Sequence, residues 1–322
     1  MIGGKLWISF SHLIVLTLVH NLVKCRRNSN GECLMVNLVY PKKQSVAFSN
    51  IMFALYELAK DTTEDKIIFD LSRSHSLTPF GIIMLTSTIS ECLRGGKVCS
   101  YKEPRDEKLK KFLTDIGFHK YFGLKHPTPE IESIKTGAVQ LRKTRGIDPM
   151  LIETLTDILD YHLNISRGVK GSLRMSLQET MTNVIDHSGA QDYYVCCWNY
   201  PETKEIRLCI ADLGIGIKAS LKKSVKYASL TNDYKAITLS TEEDVSSRLD
   251  RAGMGLNHIK RFLSVNEGQL CIISGKGKVF WKFDQGKMLK QSMSQSFSGT
   301  IIKMKINTGK EGLYVLSDEK IF

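Results

Sequence analysis

Apolar and polar positions along this chain change period repeatedly, and the changes mark out strands and helices. Cys33 to Tyr40 reads as an apolar strand, and Val46, Ile51, Phe53, Leu55 and Leu58 suit a helix lying on a sheet. Lys66 to Leu71 reads as a buried strand. Pro79 to Leu93 reads as a helix entered through proline and stopped at Gly95-Gly96. A strand at Lys97 to Tyr101 and a helix at Arg105 to Ile116 continue the alternation, which predicts a small α/β layer. Residues 124–147 hold Pro127, Pro129, Gly137 and Gly146 with the basic stretch Arg142-Lys-Thr-Arg145, and read as a linker.

After the linker the pattern predicts a helix from Asp148 to about Ser166 and a second one after Gly171. Strands are expected at Tyr193 to Asn199, Glu205 to Ala211, Gln269 to Ser274, Lys278 to Phe283 and Phe297 to Ile306, with a turn at Pro201 to Lys204. The second helix carries polar residues where a buried helix should be apolar. Glu179, Asn183 and Asp186 or His187 fall on one face, and Leu177, Met181, Val184 and Ile185 lie opposite for packing. A solvated stripe on a surface helix would produce the same spacing.

Later motifs bear on that choice. Asp212-Leu-Gly214-Ile-Gly216 ends a strand with a carboxylate followed by two glycines, a loop that lets a flat ligand approach the backbone; a purely structural turn fits equally. Gly253-Met-Gly255-Leu256 opens a helix within Arg251 to Lys260, where free N–H groups suit phosphate oxygens. Ser298-Gly299-Thr300 leads into the last strand.

Composition is that of a globular protein, 322 residues with 42% hydrophobic and 24% charged, long enough for two domains. The net charge of +12 is spread from end to end and suits a polyphosphate ligand as well as nucleic acid or an anionic membrane, so it selects no partner. The 8 cysteines show no paired spacing and most lie in apolar runs, as reduced core residues of a cytoplasmic protein do. Residues 1–32 form an apolar N-terminal segment. Leu6 to Val23 is interrupted by Ser9, Ser11, His12, Thr17, His20 and Asn21, so a packed or amphipathic helix is expected ahead of a start codon placed too far upstream (Met35 would open the first strand) or a membrane anchor.

Taken in order, Glu179-x-x-x-Asn183, Asp212-x-Gly-x-Gly216, Gly253-x-Gly255 and Gly299-Thr300 resemble the ATP-binding domain of the GHKL superfamily, which contains DNA gyrase, the large heat-shock chaperone, histidine kinases and MutL. Asn183-Val-Ile-Asp-His-Ser188 and Ser274-Gly275 also fit. The run Asp70-Leu-Ser-Arg-Ser-His-Ser-Leu-Thr-Pro-Phe-Gly81, with its apolar helix and Gly95-Gly-Lys97, resembles the STAS-like domains of bacterial sigma-factor regulation, and bacterial proteins that join the two are the nearest likeness. Pro79 and Phe80 stand where antagonist-type STAS domains carry a phosphorylatable serine, a departure that removes the acceptor; Ser76 and Thr78 are nearby hydroxyls.

The resemblance implies a mixed α/β (α+β) chain: a STAS-like domain over 33–123, a two-layer α/β-sandwich ATPase domain over 148–308 and a tail over 309–322. It implies ATP and Mg²⁺ as ligands, with Asn183 on the metal and Glu179 orienting or deprotonating the attacking water. Asp212 would accept from the adenine amino group with Thr300 in support. Gly214 and Gly216 would give room beside the base, and Gly253, Gly255 and Leu256 would border the phosphates, with the 36 residues between Gly216 and Gly253 as a lid over the nucleotide. Asp186 and His187 join the cofactor-binding set, with a simple helix-holding role as the alternative.

Three uses of ATP follow: a slow ATPase acting as a regulatory switch on a protein partner held by the STAS-like domain, a serine or histidine protein kinase, and a scaffold that binds without turnover. His162, in Tyr161-His-Leu-Asn164, lacks the acidic follower of a phosphoacceptor histidine. A homodimer is compatible with all three. DNA clamp ATPases add a domain after the ATPase, and the short stretch after Ile306 leaves no room for it, so nucleic acid is not the expected partner; nor is a membrane, given the polar interruptions of Leu6 to Val23.

Overall fold

The computed structural model describes residues 23–27, 33–41, 48–122, 133–187, 189–190, 192–242 and 255–309. The chain forms two compact units: one of residues Met1–Leu77, Met84–Thr114 and His119–His126, the other of Thr78–Ile83, Asp115–Phe118 and Pro127–Phe322.

The four-stranded sheet has the order β1-β2-β3-β4, from Val23–Arg27, Cys33–Val39, Lys66–Asp70 and Val98–Lys102. Strands β2, β3 and β4 run parallel, joined by crossover helices α1 (Phe48–Asp61) and α2 (Pro79–Arg94), and α3 (Glu107–Asp115) follows. Helix α1 buries Ile51, Met52, Leu55, Tyr56 and Ala59 at three-and-four spacing, and Phe53 to one side of that stripe. Helix α2 starts on Thr78, whose carbonyl accepts the Ile82 N–H, and stops where Gly96 takes φ +76 and the Lys97 N–H returns to the Cys92 carbonyl at 2.9 Å. The N-terminal segment differs from expectation at its end, because Val23–Arg27 pairs antiparallel with β2 as β1. Val23 and Cys25 alternate with Lys24 and Arg26, a strand pattern hidden when the run is read as one apolar piece. Most of Leu6 to Val23 lies outside the described residues. Among those described, no helix is long and apolar enough to cross a membrane.

The five-stranded sheet is antiparallel throughout, in the order β5-β6-β7-β9-β8. Its strands are Val139–Thr144, Tyr193–Tyr200, Glu205–Asp212, Lys287–Asn307 for β9 and Gln269–Lys282 for β8. Two expectations are corrected here. Residues 139–144, read as linker, form edge strand β5 after a short helix α4 (Ser133–Thr136); Val139 and Leu141 are buried while Arg142 and Lys143 face out. A short edge strand that pairs on one side only can carry such charges, which is why composition alone suggested a loop. Gly171 does not start the second helix but lies inside it, since α5 (Pro149–Leu163) and α6 (Arg167–His187) meet at Asn164, in the left-handed conformation, with Ser166 capping the Val169 N–H.

One face of this sheet carries Val195, Cys197, Ile206, Leu208, Ile210, Leu270, Ile272, Ile302, Met304 and Ile306. It shares a core with Leu155 and Ile158 of α5, Leu173, Leu177 and Met181 of α6, and Ile259 and Leu263 of α9 (Gly255–Val265). Outside that core, Lys170 pairs with Asp157 and Asp160 at 2.8 and 2.9 Å, tying α6 to α5. Two short helices, α7 (Gly216–Leu221) and α8 (Asp233–Leu239), lead from β7 toward α9 and bury Leu221, Tyr227 and Ala236 together.

The strands expected at 269–274 and 278–283 are the halves of β8, broken in register at Gly275–Gly277. The Phe283 N–H donates to the Gly268 carbonyl at 3.1 Å, so β8 folds back on itself. The bend demands glycine: a Cβ on Gly277 would lie 2.6 Å from the Asp233 backbone.

Candidate functional site

Helix α6 carries the first motif. Its buried hydroxyls are satisfied within the helix, Ser176 donating to the Ser172 carbonyl at 2.7 Å and Thr180 to Ser176 at 2.8 Å, so polar residues enter the core side without orphaned groups. Leu177 and Met181 are buried as expected, and Glu179 and Asn183 are half-buried beside them. Gly255 opens α9 directly against Glu179: a Cβ there would stand 3.0 Å from Glu179 Cβ and 3.2 Å from Oε2. The first and third motifs, far apart in sequence, therefore share one location.

The second and fourth motifs meet across β7 and β9, where Asp212 lies in register with Thr300. Asp212 is 3% exposed. Its Oδ1 accepts the Gly214 N–H at 2.8 Å, and the Thr300 backbone N–H and hydroxyl also donate to the carboxylate. Burial nevertheless outweighs these three donors and pushes the Asp212 pKa up to about 7. A carboxylate offers about four acceptor positions, so one remains for a further donor.

Glycine is required on both sides of this carboxylate. Gly299, at φ +95, would bring a Cβ to 2.2 Å from the Asp212 carbonyl oxygen. Gly216, at φ +77, would bring one to 2.6 Å from Ser274 Oγ, so its missing side chain makes room for that hydroxyl. Leu256 packs, partly buried, on the core. The Gly253 position, residues 243–252 of the lid segment before it, and the side chains of Asp186 and His187 lie outside the described residues, whereas residues 217–242 of that segment hold α8 and all but the first residue of α7.

The two clusters are linked by chain geometry. Five residues join the end of α6 at His187 to Tyr193, and Tyr193 is the β6 partner of Asp212. The C-terminal end of α6 thus runs to the end of the sheet that carries Asp212.

Two features had no role in the sequence reading. Asp233 accepts the Lys276 N–H at 3.1 Å and pairs with Lys218 at 2.8 Å, fastening α8 to the bend of β8; Gly275-Lys-Gly277 is the sequence signal for it. Ser274 is buried among the glycine segments, and its signal was only a place in the pattern. Elsewhere, His162 is half-buried with Nε2 3.1 Å from the Ile134 carbonyl, and burial lowers its pKa. Pro79 and Phe80 are buried, Thr78 Oγ1 accepts the Gly81 N–H at 3.5 Å, and Ser76 is exposed. The six cysteines whose side chains are described are free thiols, and all but Cys99 are buried.

Comparison with protein-family models and with curated proteins finds no match to this chain.

Proposed function

We propose that the unit containing Asp212 is a Mg-ATP-binding domain of the GHKL type, that the other is a STAS-like interaction module, and that slow ATP hydrolysis changes the chain's affinity for a protein partner in the cytoplasm. The observation that carries this reading is the Asp212 carboxylate: buried at a strand end, held by three donors, with one acceptor position left and glycines on either side. The 6-amino group of adenine is a donor and complements that position; guanine offers a carbonyl there and would be rejected.

The chemistry of the other cluster supports hydrolysis. Asn183 would supply a neutral amide oxygen fit to hold Mg²⁺, whose charge would offset that of the phosphates. Glu179 would take a proton from the water attacking the γ-phosphate. The N-terminus of α9 adjoins Glu179 through Gly255, where free N–H groups would meet the phosphates. Transfer to protein is the second reading; against His162 as acceptor stands the contact of its Nε2 with the Ile134 carbonyl.

Incubation of the purified chain with γ-labelled ATP, alone and with lysate, tests the reading. Free labelled phosphate, lost in Glu179→Ala with ATP binding retained, is the expected result. Label on a protein would replace the switch with a kinase, and neither outcome would leave binding without turnover.

A further inference from the structure

Ser274 is joined by hydrogen bonds to both segments that flank Asp212. It lies on β8 and is 3% exposed. Its Oγ accepts the Ile217 N–H at 2.8 Å, from the turn that follows Asp212-x-Gly-x-Gly216. The same hydroxyl donates to the Gly299 carbonyl at 2.9 Å, on the strand that faces Asp212. Thr300 Oγ1 donates to it at 3.4 Å. A hydroxyl has one proton and two lone pairs, so these three partners saturate it.

Ser274 bridges residues 57, 25 and 26 positions away in sequence. The fit is also steric, since the absence of a Cβ on Gly216 is what admits the hydroxyl. Thr300 has a single hydroxyl proton, and both Ser274 Oγ and the Asp212 carboxylate accept from it.

We infer that Ser274 is the positioning residue for base recognition: it sets the separation of the Gly216–Ile217 and Gly299–Thr300 segments, and so the place of the open Asp212 acceptor position relative to the adenine amino group. The inference rests on the adenine-nucleotide reading of Asp212. Removing the hydroxyl strands the Ile217 N–H and the Gly299 carbonyl, and the two segments shift to satisfy them, which moves the Asp212 carboxylate relative to the base.

The experiment is calorimetric titration of the full chain with Mg-ATP and with the triphosphate of purine riboside, which lacks the 6-amino group, for wild type, Ser274→Ala and Ser274→Cys. Wild type should prefer ATP by about 10-fold, the value of one buried hydrogen bond. Ser274→Ala should collapse that preference to within about 2-fold by weakening ATP, with the affinity for the purine riboside triphosphate nearly unchanged. The cysteine variant keeps the shape and a weak acceptor and should recover part of the preference. The ratio is insensitive to a general loss of folded protein, which lowers both affinities equally. An unchanged ratio in both variants, or an equal loss for both nucleotides, overturns the role of Ser274 while leaving the nucleotide site standing. A wild-type chain that binds neither nucleotide, or both alike, overturns the adenine reading and this inference together.

Discussion

Asp212 should make the stability of its unit fall as pH rises, the reverse of the usual behaviour of a salt-bridged carboxylate. Burial raises its pKa from an ordinary 3.8 to about 7, so between those values the folded state holds a proton that the unfolded state has released. Stability attributable to this group is therefore highest below the unfolded value and is lost as pH climbs toward the folded one. The shift of about 3 units corresponds to roughly 4 kcal/mol in total, of which roughly 2.5 kcal/mol falls between pH 5 and pH 8. Asp212→Asn removes the ionisation. The amide retains one acceptor oxygen but turns an N–H₂ toward one of the donors from Gly214 and Thr300, a cost of about 1–3 kcal/mol that does not vary with pH. Wild type and variant should therefore differ by an amount that changes steadily with pH. Urea unfolding followed by tryptophan fluorescence measures it, Trp198 and Trp281 both lying on strands of the Asp212 sheet. Parallel stability curves for the two proteins from pH 5 to pH 8 would refute the argument. Saturating Mg-ATP should flatten the wild-type slope, because an added donor favours the ionised carboxylate.

Two glycines offer further tests. Gly299→Ala forces a Cβ to 2.2 Å from the Asp212 carbonyl oxygen at φ +95 and should cost more than about 3 kcal/mol, whereas Gly286→Ala, with nothing within 4 Å at φ +57, should cost about 1 kcal/mol; equal losses in urea would contradict the packing. Gly255→Ala presses a Cβ to 3.0 Å from Glu179 and should lower kcat for ATP hydrolysis about 10-fold with ATP affinity held within about 3-fold; a loss confined to binding would separate Glu179 from the chemistry.

Much of the architecture was legible from periodicity. The α/β alternation of the first sheet, helices over Pro79–Arg94 and Pro149–Leu163, and the strands flanking Asp212 follow from apolar spacing and from proline and glycine punctuation. Errors fell where local signals were weak or ambiguous. Strand β5 pairs on one side only and tolerates Arg142 and Lys143 on its open face, so its composition was that of a loop. Gly171 breaks no helix because its side of α6 faces open space, where an added Cβ would meet nothing within 4 Å, and packing of Leu173, Leu177 and Met181 outweighs a propensity cost of about 1 kcal/mol.

For the candidate site the division is sharper. The sequence by itself determined which candidate residues share an element and in what local geometry: a carboxylate and an amide on one helical face, an aspartate before two glycines, a glycine at the head of a helix. Spacing within one element is a local property, set by backbone periods of 3.6 and 2 residues. Tertiary structure alone decided that Gly255 rests on Glu179, that Thr300 and Gly299 close on Asp212, and that Ser274 binds both flanking segments through one hydroxyl. Those relations depend on strand order and register across a sheet in which β9 lies between β7 and β8, so they belong to the packing of distant segments and to no stretch of sequence read by itself.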